Sequence, residues 1–179
     1  GLVRERHRPV KHPGNPIVRA DRSWEKLSTI AGTSRVMRDE ATGKFRMWYV
    51  LMPFPEEVKK RIRPQPFPTR FVFCYAESDD GIHWTKPAIG RYEIEGSKEN
   101  NVLLWNSPLG MVLDPRDKDP QRRYKGWFRL RQTFFPIPDS PAQGLFLYTS
   151  PDGLKWTQAS DRANIPRDYG KDFPGYGTP

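Results

Sequence analysis

FVFCYAESDDGIHWTKP, residues 71–87, decides how the chain is read, because QGLFLYTSPDGLKWTQ at 143–158 repeats it. Laying Gly81 on Gly153, 72 positions on, also lays Ser78 on Ser150, Asp80 on Asp152, Trp84 on Trp156 and Thr85 on Thr157. In each copy an alternating apolar strand runs into Ser-x-Asp-Gly and a Trp follows. The Asp side chain caps backbone N–H groups across a tight turn, and Gly takes the positive φ that other residues resist. The Trp then covers the returning arm.

A second repeat is interleaved with the first. Met37, Asp39, Phe45, Trp48 and Tyr49 are echoed by Val112, Asp114, Tyr124, Trp127 and Phe128, with a turn four residues longer in the second copy. Each copy reads as a short apolar strand, an Asp-led turn and an aromatic strand. The order is therefore hairpin, hairpin, then the same two again. A four-stranded unit of about 70 residues used twice is the sequence signature of propeller blades. The predicted fold class is all-β, with two four-stranded β-propeller blades, since no stretch keeps a 3.6-residue period.

Around these repeats the chain divides into three parts: a polar, basic extended arm over 1–14, the two blades over 15–158, and 159–179 as a tail or the start of a third blade. Asn15 to Val18 reads as a short strand, and Thr29–Met37 with Lys44–Met52 as the first hairpin. Pro53, Pro55, Pro64, Pro66 and Pro68 predict a loop over 53–69, with one helical turn within Glu56–Arg61. Ile82–Lys86 and Leu154–Gln158 are the predicted returning strands. Two blades do not close a ring, so the expectation is a fragment, or one piece of a multichain protein.

Thirty Lys and Arg against 21 Asp and Glu give a net charge of +9, spread in short groups such as Arg4 to His12 and Arg122 to Lys125. That pattern is a solvated basic surface, or a field around an acidic ligand. No helix-turn-helix, zinc-finger or RNA-recognition signature points to nucleic acid. The single cysteine, Cys74, rules out an intrachain disulfide and reads as a buried thiol. No stretch is long and apolar enough to be a transmembrane helix, and no signal peptide is visible. The compartment stays open, leaning to secreted or periplasmic.

Several of these residues carry a resemblance. Asn15-Pro16, KFRMWY at 44–49, YAESDDGIHW at 75–84 and GSKENN at 96–101 contribute to it, as do Asp114-Pro115 with Arg123 to Lys125 and SPDGLKW at 150–156. Together they make residues 15–158 resemble the five-bladed β-propeller glycoside hydrolase superfamily, which holds glycosyl hydrolase families 32, 43, 62 and 68. The chain looks like an N-terminal portion. The resemblance implies five blades in the complete protein and a carbohydrate substrate, with acidic polymers among the candidates. It also implies a remainder of the same protein, or a second chain, that completes the ring. The Ser-x-Asp-Gly hairpins look like the Asp-box of sialidases shortened by one residue. By that likeness Asp80 and Asp152, and by repetition Asp39 and Asp114, are turn residues.

Hydrolysing a glycosidic bond takes one carboxylic acid and a second carboxylate across the scissile bond. The resemblance puts a first-blade carboxylate near Asp21 and Glu25, and a second-blade acid at Asp114 before Pro115. Asp168 and Asp172 are candidates for a third blade, and no Glu matches the family's general acid. Trp24, Trp48 and Trp105 are candidate stacking platforms for sugar rings, or else core. Arg35, with Arg38 and Arg46, is placed to clamp a carboxylate or sulfate, or else lies on the rim. The histidines have no metal-ligand spacing, and no metal or cofactor is expected. The functional expectation is a glycoside hydrolase; the alternative is a non-catalytic carbohydrate-binding propeller or a structural subunit.

Overall fold

The computed structural model describes residues 3–26, 28–52, 62–63, 71–106, 108–130 and 144–166. The alternating runs form two antiparallel sheets. In the first, β1 (Thr29–Arg38), β2 (Phe45–Met52), β4 (Val72–Ser78) and β6 (Val102–Leu104) lie in that order. In the second, β7 (Pro108–Leu113), β8 (Tyr124–Leu130) and β9 (Gly144–Ser150) lie side by side, and both β10 (Thr157–Gln158) and β11 (Ile165–Pro166) pair with β9. A two-stranded ribbon joins β3 (Ile62–Arg63) to β5 (Glu93–Ile94). Among the described residues the only helical pieces are the 3-10 turns Ser23–Glu25 and Pro120–Arg122. The fold is all-β, built from two blade-like sheets.

The strand registers turn the sequence repeat into a structural one. Phe45 lies opposite both Arg38 and Ser78 in the first sheet; Tyr124 lies opposite both Leu113 and Ser150 in the second. Ser78 Oγ accepts from Gly81 N at 2.9 Å, and Asp80 Oδ1 from the N–H groups of Ile82 and His83 at 2.8 Å. Trp84 Nε1 returns to Gly81 O at 3.0 Å. Ser150, Asp152, Gly153 and Trp156 make the same set, with distances of 2.8 Å from Gly153 N, Leu154 N and Lys155 N and from Trp156 Nε1 to Gly153 O. Gly81 and Gly153 have φ of 76° and 74°. The same local turn chemistry therefore shapes both hairpins.

The outer strand differs from its expected form. Of Ile82–Lys86 only Thr85 pairs, bridging to Glu77, and the outer position is completed further on by β6. In the second sheet Thr157–Gln158 plays the part of Thr85, and β11 the part of β6: Phe73 faces Leu104 where its counterpart Leu145 faces Ile165. The outer strand is split because the chain leaves the ladder after the turn to bury its Trp, then re-enters. Two other expectations are corrected. Asn15 to Val18 forms a bend with a cis Asn15–Pro16 bond and no strand. Ile62–Arg63, within the stretch read as loop, is a strand, since both residues escape the neighbouring prolines and can pair. The helical turn expected within Glu56–Arg61 falls outside the described residues.

Each face of the first sheet has its own core. One packs against the second sheet and holds Trp48, Val50, Phe73, Tyr75 and Leu103 against Met111, Tyr124, Phe128 and Trp156. The other holds Met47, Tyr49, Leu51, Val72, Cys74 and Val102, and is covered by Val18, Trp24, Trp84 and Tyr92 from the segments before and after the strands.

The junction between sheets is specific. Trp48 is fully buried and its Nε1 donates to Gly153 O at 2.7 Å. Arg46 beside it donates to Tyr75 Oη at 2.9 Å, Tyr124 Oη at 2.6 Å and Asp152 O at 2.5 Å. Its guanidinium also lies over the rings of Trp48, Tyr75 and Tyr124, 5.1–5.4 Å from their centroids.

The two turn glycines therefore differ in what they tolerate. A Cβ at Gly153 would sit 2.6 Å from Trp48 Cζ2, whereas at Gly81 the nearest atom, on Phe45, is 3.7 Å away. Gly81→Ala is expected to cost about 1–2 kcal/mol, the positive-φ penalty alone. Gly153→Ala should cost about 2–5 kcal/mol, because overpacking the junction adds to it. Chemical denaturation of the two variants measures the difference; equal costs would contradict the junction.

Candidate functional site

Asp21 and Glu25 meet on one ammonium. The chain before β1 folds over the outer face of the first sheet, where the 3-10 turn Ser23–Glu25 drops Glu25 into the core at 0% exposure. Lys86, just past the Ser-x-Asp-Gly hairpin, reaches it from the other side. Its Nζ donates to Glu25 Oε2 at 2.6 Å, Asp21 Oδ1 at 2.8 Å and Arg19 O at 2.6 Å. Those three bonds use all three ammonium donors. Glu25 Oε1 accepts from Tyr49 Oη at 2.7 Å, and Tyr49 Oη accepts in turn from Asn101 Nδ2 at 2.6 Å. Burial pushes the Tyr49 hydroxyl and the Cys74 thiol far up, so both stay protonated and the thiol is inert.

Asp114 belongs to a different group. It follows β7, accepts from Arg116 N at 3.1 Å, and pairs with Lys125 at 2.5 Å; Lys125 also holds Asp117 at 2.7 Å. Its repeat partner Asp39 accepts from Ala41 N and Thr42 N and faces Arg46 at 3.7 Å. Asp114 thus has the turn geometry of its repeat partner, and it does not share a cation with Asp21 or Glu25.

The aromatic candidates separate by burial. Trp48 has no exposed face and Trp105 only 5%, with its ring edge-to-face on Tyr92. Neither can present a face to a sugar, so both are core, which corrects the stacking expectation for them. Trp24 is half-buried against the outer-face core and keeps some surface. Arg35 is exposed and its Nη2 reaches Leu109 O at 3.4 Å, linking β1 to β7. Arg46, expected as an anion clamp, is committed to the junction. Asp168 and Asp172 fall outside the described residues. Lys86 is the residue that sequence reasoning missed; the available signal was that the second copy has Gln158 at its position.

Electrostatics constrain what these acids can do. A hydrogen bond from Lys86 holds the Asp21 carboxyl below its ordinary range, and hydrogen bonds from Lys125 do the same for Asp114 and Asp117. His83 and the turn N–H groups hold Asp80 well down. At Asp152 burial works against ionisation but is outweighed by the N–H groups of Lys155 and Leu154. A general acid for glycoside cleavage needs the opposite, a carboxyl kept protonated near neutrality. Among the described residues no group of three or more His, Cys, Asp and Glu is arranged to hold a metal ion, and no helix is long and apolar enough to cross a membrane.

No protein-family model matches the chain, and neither a curated protein nor a solved structure is similar to it at a significant level.

Two outcomes follow from this chemistry. Lys86→Met strands a buried carboxylate, so it should destabilise by about 3–5 kcal/mol, and adding Glu25→Gln should restore a large part of that. Denaturant unfolding of the single and double variants checks it; a double variant no more stable than Lys86→Met would refute the pair. For pH, each depressed carboxyl ionises more readily in the fold than in the unfolded chain. The stability it adds is complete above the unfolded value of about 4 and is lost as pH falls through the lower folded value. The melting temperature should therefore hold level from neutrality to about pH 5 and fall below about pH 4. A melting temperature that rises on acidification would contradict this.

Proposed function

We propose that this chain is the blade-forming portion of a carbohydrate-active β-propeller of the glycoside hydrolase type, with the remaining blades on the same protein or on a second polypeptide. The observation that carries the reading is the twofold blade repeat, matched in strand register from Arg38/Leu113 through Phe45/Tyr124 to Ser78/Ser150. In such a ring β1 and β7 are the innermost strands, and the contact from Arg35 to Leu109 lies on their side. The two blades would supply scaffold, and the net charge of +9 suits an acidic polymer. Of the two carboxylates on Lys86, Asp21 is the one with surface to meet a substrate, its side chain 63% exposed against 0% for Glu25. Its role would be that of the ionised partner, with the proton donor on another blade.

A second reading has its own support. Asp21, Asp80, Asp114, Asp117 and Asp152 are each held below the usual carboxylate range by a cation or by turn N–H groups. That favours a propeller that holds carbohydrate without cleaving it.

One experiment separates the two. The protein is incubated with neutral and acidic polysaccharides, released reducing ends are quantified, and affinity electrophoresis measures retardation. The expected result is retardation by an acidic polysaccharide, weakened several-fold by added salt because exposed charges are screened. Cleavage with retardation supports the hydrolase, and retardation alone the binding propeller. Absence of both cleavage and retardation would overturn the carbohydrate reading.

A further inference from the structure

The second sheet has a face turned away from the first, and the repeat says what fits it. On β8, Tyr124 and Phe128 point into the inter-sheet core, so Lys125 and Trp127 point outward. Val112 lies opposite Lys125 and Leu147 opposite Trp127, on that same outward face; Leu145, paired to Ile165, continues it. Val112 is 56%, Trp127 36% and Ile165 52% exposed. A row of exposed apolar side chains across one sheet marks an interaction surface.

These are the positions that, one repeat earlier, hold the two sheets together. Trp127 is the counterpart of Trp48, Lys125 of Arg46, Leu147 of Tyr75 and Leu145 of Phe73. In the first sheet that face is covered by a blade whose Ser-x-Asp-Gly turn offers Gly153 O to the Trp48 indole. We infer that the outward face of the second sheet, centred on Trp127, is the docking surface for a further blade of this same repeat, with the Trp127 indole donating to the glycine carbonyl of that blade's Ser-x-Asp-Gly turn. The inference rests on the part of the preceding proposal that adds blades, and is independent of whether carbohydrate is bound or cleaved.

The chemistry favours a new blade over a second copy of this chain. A head-to-tail copy would have to present the outer face of its first sheet, and that face already carries Val18, Trp24, Trp84 and Tyr92 over the buried Glu25–Lys86 pair. The match between repeats also has one informative break. Lys125 is turned onto Asp114 and Asp117, whereas Arg46 forks across its junction. Lysine cannot make that forked contact, so at this second junction the apolar residues and the indole carry the docking.

The register supplies the splice point for a test. Because Ile165 occupies the place of Leu104, a copy of residues 106–166 can follow Pro166 directly, in place of 167–179. The copy carries Trp127→Phe so that its peptides are distinguishable by mass. A parallel extension uses residues 28–105, the first blade. Hydroxyl-radical footprinting with mass spectrometry reads the oxidation of Trp127 in the original and extended chains. Protection of Trp127 by about fivefold or more in either extended chain is expected, while Trp48 stays protected in all of them. Full oxidation of Trp127 in both extended chains overturns the inference, whatever the fold of the added part. So does protection in the original chain that grows with concentration alongside a dimer in native mass spectrometry, since a second copy would then be the occupant. A protein that binds no polysaccharide but protects Trp127 on extension separates this inference from the carbohydrate reading.

Discussion

One guanidinium ties the two sheets together. Arg46 rises from β2 at the point where the first sheet meets the second and is enclosed by Trp48, Tyr75 and Tyr124. Three rings accommodate a planar, weakly hydrated cation, and its donors are used on two tyrosine hydroxyls and the Asp152 carbonyl. Only one of those three acceptors belongs to its own sheet. The remaining two are fixed by the second sheet and by the second Ser-x-Asp-Gly turn, so sheet position, turn geometry and cation placement depend on each other. An ammonium could not span that set, because its donors radiate from one atom.

A different logic governs the outer face. There the polar centre is an interior pair with one exposed partner: buried Glu25 receives Tyr49 and Lys86, and Lys86 is saturated by Glu25, the exposed Asp21 and the Arg19 carbonyl. A buried ion pair adds little net stability against an apolar replacement, but leaving half of it behind is costly. Its evident effect is to fasten residues 19–25 to the sheet in one arrangement, which caps the face that the outer-face core presents. One sheet face is thus closed by the chain's own segments, the inter-sheet faces by each other, and the last by nothing described.

The parts of this architecture that could be read from sequence were the local ones. Ser-x-Asp-Gly-x-x-Trp specifies its turn through bonds spanning two or three residues, so the pattern carried its own geometry and both copies formed as expected. What stayed hidden depends on distant pairings. Nothing near Glu25 indicates that its partner lies 61 residues on, and nothing in the aromatic strand tells a sugar platform from a buried junction ring. Trp48 and Trp127 occupy the same position of the repeat, and only the sheet stacked on Trp48 makes it core. Val102 to Trp105 could be read as a strand, but not as the continuation of the outer position, because the connection from Thr85 first runs through β5, which pairs elsewhere. For the candidate site, the sequence brought Asp21 and Glu25 together but could not show that a lysine holds them both.

The Trp48 bond has a consequence for how such a chain is made. Its acceptor, Gly153, lies 105 residues later. At translation rates of about 5–20 residues per second, the indole waits roughly 5–20 s before that carbonyl exists. During that interval the first sheet can pair its strands through the nearby hairpins, yet the face that carries Trp48 is bare. Non-local closure of this kind slows folding and leaves strand edges open to wrong partners. The first sheet is therefore exposed while the rest of the chain is made, and completion of the second Ser-x-Asp-Gly hairpin is the event that ends the exposure.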